Sequence, residues 1–237
     1  MDAAECPPTF GTDPAQVVAV MAGGEPAAAA AIEGAEDDAA AGTRDLDARG
    51  VNPADVVVGI TASGRTEYVL AALDAARRHG ARTVAVVNNA GSPARGRAEV
   101  TIELLTGAEV LSGSTRLRAA TAQKIVLNTL STTAMIRAGK TYGPWMIDMV
   151  ASNEKLRRRA RRILREATGV EDDEALRVLE DSGWSTKVAL VSLLTGLDAT
   201  RARARLEAVG GYVRAAGGQP TSPGPEHRPG PATAALP

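Results

Sequence analysis

Apolar positions along this chain come in short continuous runs, separated by longer stretches in which they recur every third or fourth residue. Runs at 17–21, 56–60, 83–87 and 100–104 predict strands, and stretches at 27–47, 67–79 and 118–138 predict helices. Val69, Leu70, Leu73 and Ala76 give the second helix its buried face, and Ile125, Val126, Leu130 and Met135 do so for the third. Gly80 and Gly139 stand where helices end, and Pro26 suits a first helical turn. On the helix over 27–47, Glu33 and Glu36 fall on neighbouring positions of one face. The double proline after Glu5-Cys6 predicts a stiff, extended N-terminal stretch. Strands alternating with helices predict an α/β fold with a parallel sheet covered on both faces.

The texture changes beyond residue 150. Asn153 caps a basic helix over 154–168 carrying Lys155, Arg157, Arg158, Arg159, Arg161, Arg162 and Arg165. With a net charge of −1 for the whole chain, it reads as a solvated or subunit-facing helix rather than a nucleic-acid surface. Segments 172–181, 185–194 and 199–209 predict a compact three-helix module, with Leu176, Leu179, Val188, Leu190, Leu194, Leu197 and Leu206 as its core. Residues 217–237 are rich in Gly and Pro without a hydrophobic pattern and predict disorder. The organisation expected is an α/β domain over 1–150, a connecting helix over 151–168, a helical module over 169–216 and a tail.

Composition narrows the class. Of the 237 residues, 44% are apolar and 23% charged, as in ordinary soluble globular proteins. The single cysteine, Cys6, excludes an intrachain disulfide and suits a reducing compartment. No run approaches the roughly 18 apolar residues of a membrane span, and the N-terminus has neither a basic nor an apolar leader region. A cytoplasmic protein without membrane or nucleic-acid partners is the expectation.

The loop Thr61-Ala62-Ser63-Gly64-Arg65-Thr66 lies between a strand and a helix start, where free backbone N–H groups, hydroxyls and one guanidinium suit a phosphate-sized anion. It is neither a Walker A loop nor a dinucleotide G-x-G-x-x-G. An ordinary helix N-cap by Ser63 or Thr66 accounts for the same residues, and both readings stay open. The turn 88–92 falls beside it, beyond the carboxyl end of the next strand, where such sheets bind ligands. The two histidines, His79 and His227, are too scattered for a metal site or a triad. Carboxylates remain for proton transfer: Glu5, and the pair Glu33 and Glu36, for which a solvated acidic face is the preferred reading on the residues alone.

The blocks DAAECPPTFG, AGGEPA with AIEGAEDD, DVVVGITASGRTEYV, NNAGSP and GAEVLSGSTRLRAATAQKIVLNTLST, in that order, resemble N-acetylmuramic acid 6-phosphate etherases. The resemblance runs from Asp2 to about Ala216. It implies a sugar-isomerase (SIS) fold, a parallel sheet flanked by helices, with a ubiquitin-associated-like three-helix module at the C-terminus. It also implies a cofactor-free lyase that cleaves the D-lactyl ether of N-acetylmuramate 6-phosphate, releasing N-acetylglucosamine 6-phosphate and D-lactate in cell-wall amino-sugar recycling. Lactate is eliminated across C2–C3 of the open-chain sugar and water is added at C3. By resemblance, Glu5 matches the main acid/base glutamate and Glu36 an assisting one, with Glu33 in the same pocket. Ser63, Gly64, Arg65 and Thr66 match the sugar-phosphate loop, Ser114, Thr115 and Arg116 a second lining loop, and Lys124 a further substrate contact. A homodimer is implied as well.

Glu67 stands where that family usually has proline, and Ala120 where it usually has glycine. The family pattern also places a helical segment, a first sheet strand and a Gly-Thr-Ser-Gly-Arg loop ahead of the DAAECPP block. A sheet without its first strand and half of a phosphate site are therefore expected. The readings that compete with the etherase are a non-catalytic sugar-phosphate-binding regulator of the same superfamily, an inactive fragment, and an isomerase.

Overall fold

The computed structural model describes residues 2–218, so the segment from 219 onward, including His227 and most of the expected tail, lies outside the described residues. In chain order the elements begin with α1 (Asp2–Phe10), α2 (Ala39–Asp47), β1 (Val56–Thr61), α3 (Glu67–Arg78), β2 (Arg82–Val87), β3 (Val100–Glu103) and α4 (Arg118–Arg137). A small hairpin of β4 (Thr141–Tyr142) and β5 (Trp145–Met146) follows, then α5 (Glu154–Thr168), α6 (Asp172–Asp181), α7 (Thr186–Thr195), α8 (Ala199–Ala208) and α9 (Val213–Ala216). The described residues form two compact units, 18–130 and 2–17 with 131–218.

In the unit over 18–130, β-branched residues at nearly every position favour extended backbone in β1 and β2. The three strands are parallel in the order β1-β2-β3, with Val56 opposite Arg82 and Val84 opposite Val100. Leu70 and Leu73 of α3 bury against Ala85 and Val87, with Val57 and Val69 alongside. Gly59 makes room for this: a Cβ there would meet Leu73 and Val69 at 2.9 Å. The result is an α/β fold, a parallel sheet flanked by helices. On the opposite face Val86 is fully buried at the centre of the sheet, while Val56, Ile60 and Val100 remain exposed.

The expected strand over 17–21 is irregular backbone, and Val18, Val20 and Met21 are exposed. The expected helix over 27–47 is also replaced. Two 3₁₀ turns, Glu25–Ala28 and Ala35–Asp37, precede α2, and Gly34 at φ +76° interrupts the stretch. A run of alanines has helix propensity but no apolar stripe to bury, and propensity alone does not hold a short helix in water. Helix forms only where it packs. Leu46 is buried, Asp38 caps α2 by accepting from the Ala41 N–H at 2.8 Å, and Gly42 lies so close to α3 that a Cβ would sit 2.1 Å from the Tyr68 carbonyl oxygen.

Tyr68 is buried at this contact and donates its hydroxyl to Asp45 Oδ2 at 2.6 Å. Burial, then the bond to Asp45, raises its phenol pKa well above the ordinary value. A folded-state pKa raised in this way stabilises the fold fully below the unfolded tyrosine value of about 10, and that contribution is lost as pH rises from there through the folded pKa. Tyr68→Phe is therefore expected to weaken the fall of stability between pH 9.5 and 11, measured by urea unfolding at each pH. An unchanged slope would contradict it.

Helix α4 departs from its expected packing. Met135 is buried, but Ile125 and Leu130 are exposed, because Ile125, Val126 and Leu127 are consecutive and spread apolar surface around the helix. Trp145, Ile147 and Met149 lead into the helical unit, where Ile147 and Met149 join Ile163 and Leu164 of α5, Leu179 of α6, Leu190 of α7 and Leu206 of α8 in one core. The basic helix α5 thus buries an apolar stripe. Its arginines pair outward, Arg158 with Glu154, Arg162 with Glu166 and Arg161 with Asp172, and Arg157 lies 4.7 Å over the Trp184 ring.

Candidate active site

At the carboxyl end of β1 the chain turns through a loop whose hydroxyls bond to one another. Thr61 Oγ1 lies 2.8 Å from Thr66 Oγ1 and 3.4 Å from Ser63 Oγ, and accepts the Gly64 N–H at 3.3 Å. Ser63 Oγ accepts the Arg65 N–H at 3.1 Å. Thr66 is the N-cap of α3, yet its side chain takes no capping bond. The first N–H groups of α3 are therefore left without a side-chain acceptor, which separates this loop from an ordinarily capped helix start. Gly64 adopts φ +68° and packs on Ser92, whose Oγ would lie 2.1 Å from a Cβ added at Gly64. That Ser92 hydroxyl is itself buried without a hydrogen-bond partner.

The turn after β2 braces the loop from below. Asn88 N–H and Asn89 Nδ2 both donate to the Ala62 carbonyl, at 3.0 and 2.9 Å, and Ala94 N–H donates to the Gly64 carbonyl at 3.1 Å. Asn88 Oδ1 accepts from Gln123 Nε2 at 2.8 Å, tying α4 to the carboxyl end of β2. Ser63 and Arg65 are exposed and Thr66 half-buried, so their polar atoms are accessible.

The segment leading into α4 carries Ser114, half-buried, with Thr115 and Arg116 exposed; Lys124 is exposed in the second turn of the helix. Here the structure shows a residue that sequence reasoning missed. Glu109 accepts the Ala119 N–H at 2.9 Å and the Arg118 N–H at 3.0 Å, closing the N-terminus of α4 with a carboxylate. These two backbone bonds, Ala119 first, lower its pKa. A capping carboxylate is sought three residues from its helix start, and Glu109 reaches back over nine, so no spacing rule identifies it.

The remaining carboxylates are placed differently from expectation. Glu33 lies in a turn and Glu36 in a 3₁₀ turn, so they do not share the face of an α-helix; both are exposed. Glu5 is exposed on α1, which belongs to the unit of residues 2–17 and 131–218, whereas the loop and the other two glutamates belong to the unit over 18–130. The double proline is not extended: Pro7 and Pro8 lie within α1, and the Pro7 carbonyl still accepts the Gly11 N–H at 2.9 Å. Among the described residues no group of three or more His, Cys, Asp or Glu side chains is placed to hold a metal ion. No described helix is long and apolar enough to cross a membrane.

The SIS domain family matches residues 39–133, from the start of α2 through the hydroxyl loop into α4. An N-acetylmuramic acid 6-phosphate etherase of Geobacillus thermodenitrificans is 51% identical over 216 residues, covering 91% of this chain and 73% of that protein. The chain belongs to the N-acetylmuramic acid 6-phosphate etherase family. Etherases of Cutibacterium acnes, 50% identical over 216 residues, and Rubrobacter xylanophilus, 51% over 223, cover 91% and 94% of this chain and 71% and 73% of their own lengths. The family is one of carbon–oxygen lyases, and the parallel sheet lies within the segment matched as a SIS domain.

Proposed function

We propose that this chain cleaves the D-lactyl ether of N-acetylmuramate 6-phosphate to N-acetylglucosamine 6-phosphate and D-lactate. The observation that carries this is half-identity to etherases over more than nine-tenths of the chain. In the reaction the open-chain aldehyde acidifies the C2 proton. A carboxylate removes it, the C3–O bond breaks to release lactate, and water adds at C3 of the unsaturated aldehyde. Glu5 takes the acid/base role and Glu36 assists, with Glu33 near the sugar. Ser63, Gly64, Arg65 and Thr66 hold the phosphate, supported by the uncapped start of α3. Ser114, Thr115, Arg116 and Lys124 contact the remainder of the substrate. No cofactor enters this scheme.

Functionally, residues 1–150 carry the sugar phosphate, 151–168 connect, and 169–216 form a supporting helical module. A homodimer in the cytoplasm completes the reading. The test is D-lactate release from N-acetylmuramate 6-phosphate, followed with D-lactate dehydrogenase. Lactate and N-acetylglucosamine 6-phosphate in equal amounts support the assignment. Tight calorimetric binding without lactate identifies a sugar-phosphate-binding protein instead, and a ketose phosphate identifies an isomerase.

A further inference from the structure

Residues 147–150 run as a strap between the helical core and α1. Ile147 and Met149 are buried in the core, 1% and 4% exposed, with Asp148 between them. Its carboxylate is met by two lysines, Lys187 Nζ of α7 at 2.6 Å and Lys140 Nζ, just beyond α4, at 3.4 Å. All three side chains are largely buried, with 13% of Lys187, 17% of Asp148 and 26% of Lys140 exposed. On the far side the strap holds α1. Val150 N–H donates to the Pro8 carbonyl at 3.2 Å, and Gly11 approaches so closely that a Cβ would lie 2.7 Å from the Asp148 carbonyl oxygen. The prolines make this anchoring apt, because a helix that has lost two of its own N–H donors depends more on outside contacts.

We propose that the C-terminal helical module positions α1, and with it Glu5, through the Lys187–Asp148 pair and the strap it fixes. Asp148 and Lys187 are positioning residues: they touch no substrate. The proposal rests on the reading of Glu5 as the acid/base group for its catalytic consequence, but not for its structural one. A small displacement of a reacting group is enough to slow a reaction about 100-fold, so a module remote from the chemistry can set the rate by fixing one helix.

Cys6 supplies a native probe. It is the chain's only cysteine, neighbours Glu5 on α1 and is 2% exposed, so its reaction with Ellman's reagent reports whether α1 lifts from the strap. The expected result for Asp148→Asn and Lys187→Met is Cys6 modification faster by about tenfold or more, and kcat lower by about tenfold with KM for the sugar phosphate little changed. Lys187→Arg, which keeps the charge, should restore both. Gly11→Ala attacks the same contact from the α1 side without touching the module's core, and should also expose Cys6. It carries the test if a module variant fails to fold by circular dichroism. Folded variants with wild-type Cys6 reactivity and wild-type kcat overturn the proposal, as does a fall in kcat with Cys6 still protected. Should Glu5→Gln retain full turnover, the assignment of Glu5 fails while the Cys6 rates still decide whether the module holds α1.

Discussion

Glu5→Gln is expected to lower kcat for D-lactate release by about 10³-fold or more, with KM changed far less, since general acid–base catalysis contributes about 10²–10⁴-fold. The substitution keeps the size and helix propensity of the side chain. Glu5 is exposed on α1 beside buried Cys6, so the fold has no reason to respond. In the proposed mechanism the substitution removes the group that takes the C2 proton. Incorporation of deuterium at C2 from heavy water should disappear together with lactate. Loss of lactate with exchange intact would move Glu5 from the base at C2 to the acid that assists the leaving oxygen. Turnover near wild type would remove it from the chemistry. Glu36→Gln should give a smaller loss, as expected of an assisting carboxylate.

The second large effect concerns the hydroxyl loop. Gly64→Ala is expected to cost about 2–4 kcal/mol of stability and to raise KM for the sugar phosphate, from two separable causes. Alanine at φ +68° is strained by about 1 kcal/mol or more. Its Cβ would also lie 2.1 Å from Ser92 Oγ and 2.4 Å from Ser92 Cβ, an overlap that must be relieved by moving the turn. That movement would carry away the Ala94 N–H bond to the Gly64 carbonyl and the Gly64 N–H bond to Thr61, which shape the loop. Combining Gly64→Ala with Ser92→Gly removes the overlap but keeps the strain, so about half of the stability should return. Urea unfolding of wild type, Gly64→Ala and the double variant measures both parts. A single variant as stable as wild type, binding N-acetylmuramate 6-phosphate normally, would show that the loop adapts.

The sequence was most informative where local signals and packing agree. The strands at 56–60, 83–87 and 100–104 and the helices following Thr66, Asn153, Glu171, Ser185 and Asp198 stand within a residue or two of their expected bounds. Each combines an apolar period with a capping or glycine signal, and the same residues that favour the element also bury it. The loop after β1 was legible as an anion-binding candidate from its place and its hydroxyls. That its threonine does not cap α3 was not legible, because either hydroxyl bond is sterically open to Thr66 and only the position of Thr61 decides between them.

Where local signals stand alone, tertiary contacts decided. Alanines over 27–31 carry helix propensity with nothing to bury, so Gly34 and the fit of Gly42 against Tyr68 set where α2 starts and where Glu33 and Glu36 lie. The double proline reads as extended in isolation, but in the fold α1 is held from outside by the Val150 N–H bond to the Pro8 carbonyl and by the close approach of Gly11 to Asp148. The sequence by itself determined the order of elements, the α/β class and the family, since these depend on residue types at short spacing. The tertiary structure alone decided the carboxylate at the start of α4 and the clustering of Lys140, Lys187 and Asp148, because both bring together residues between 8 and 47 positions apart, which no local period registers.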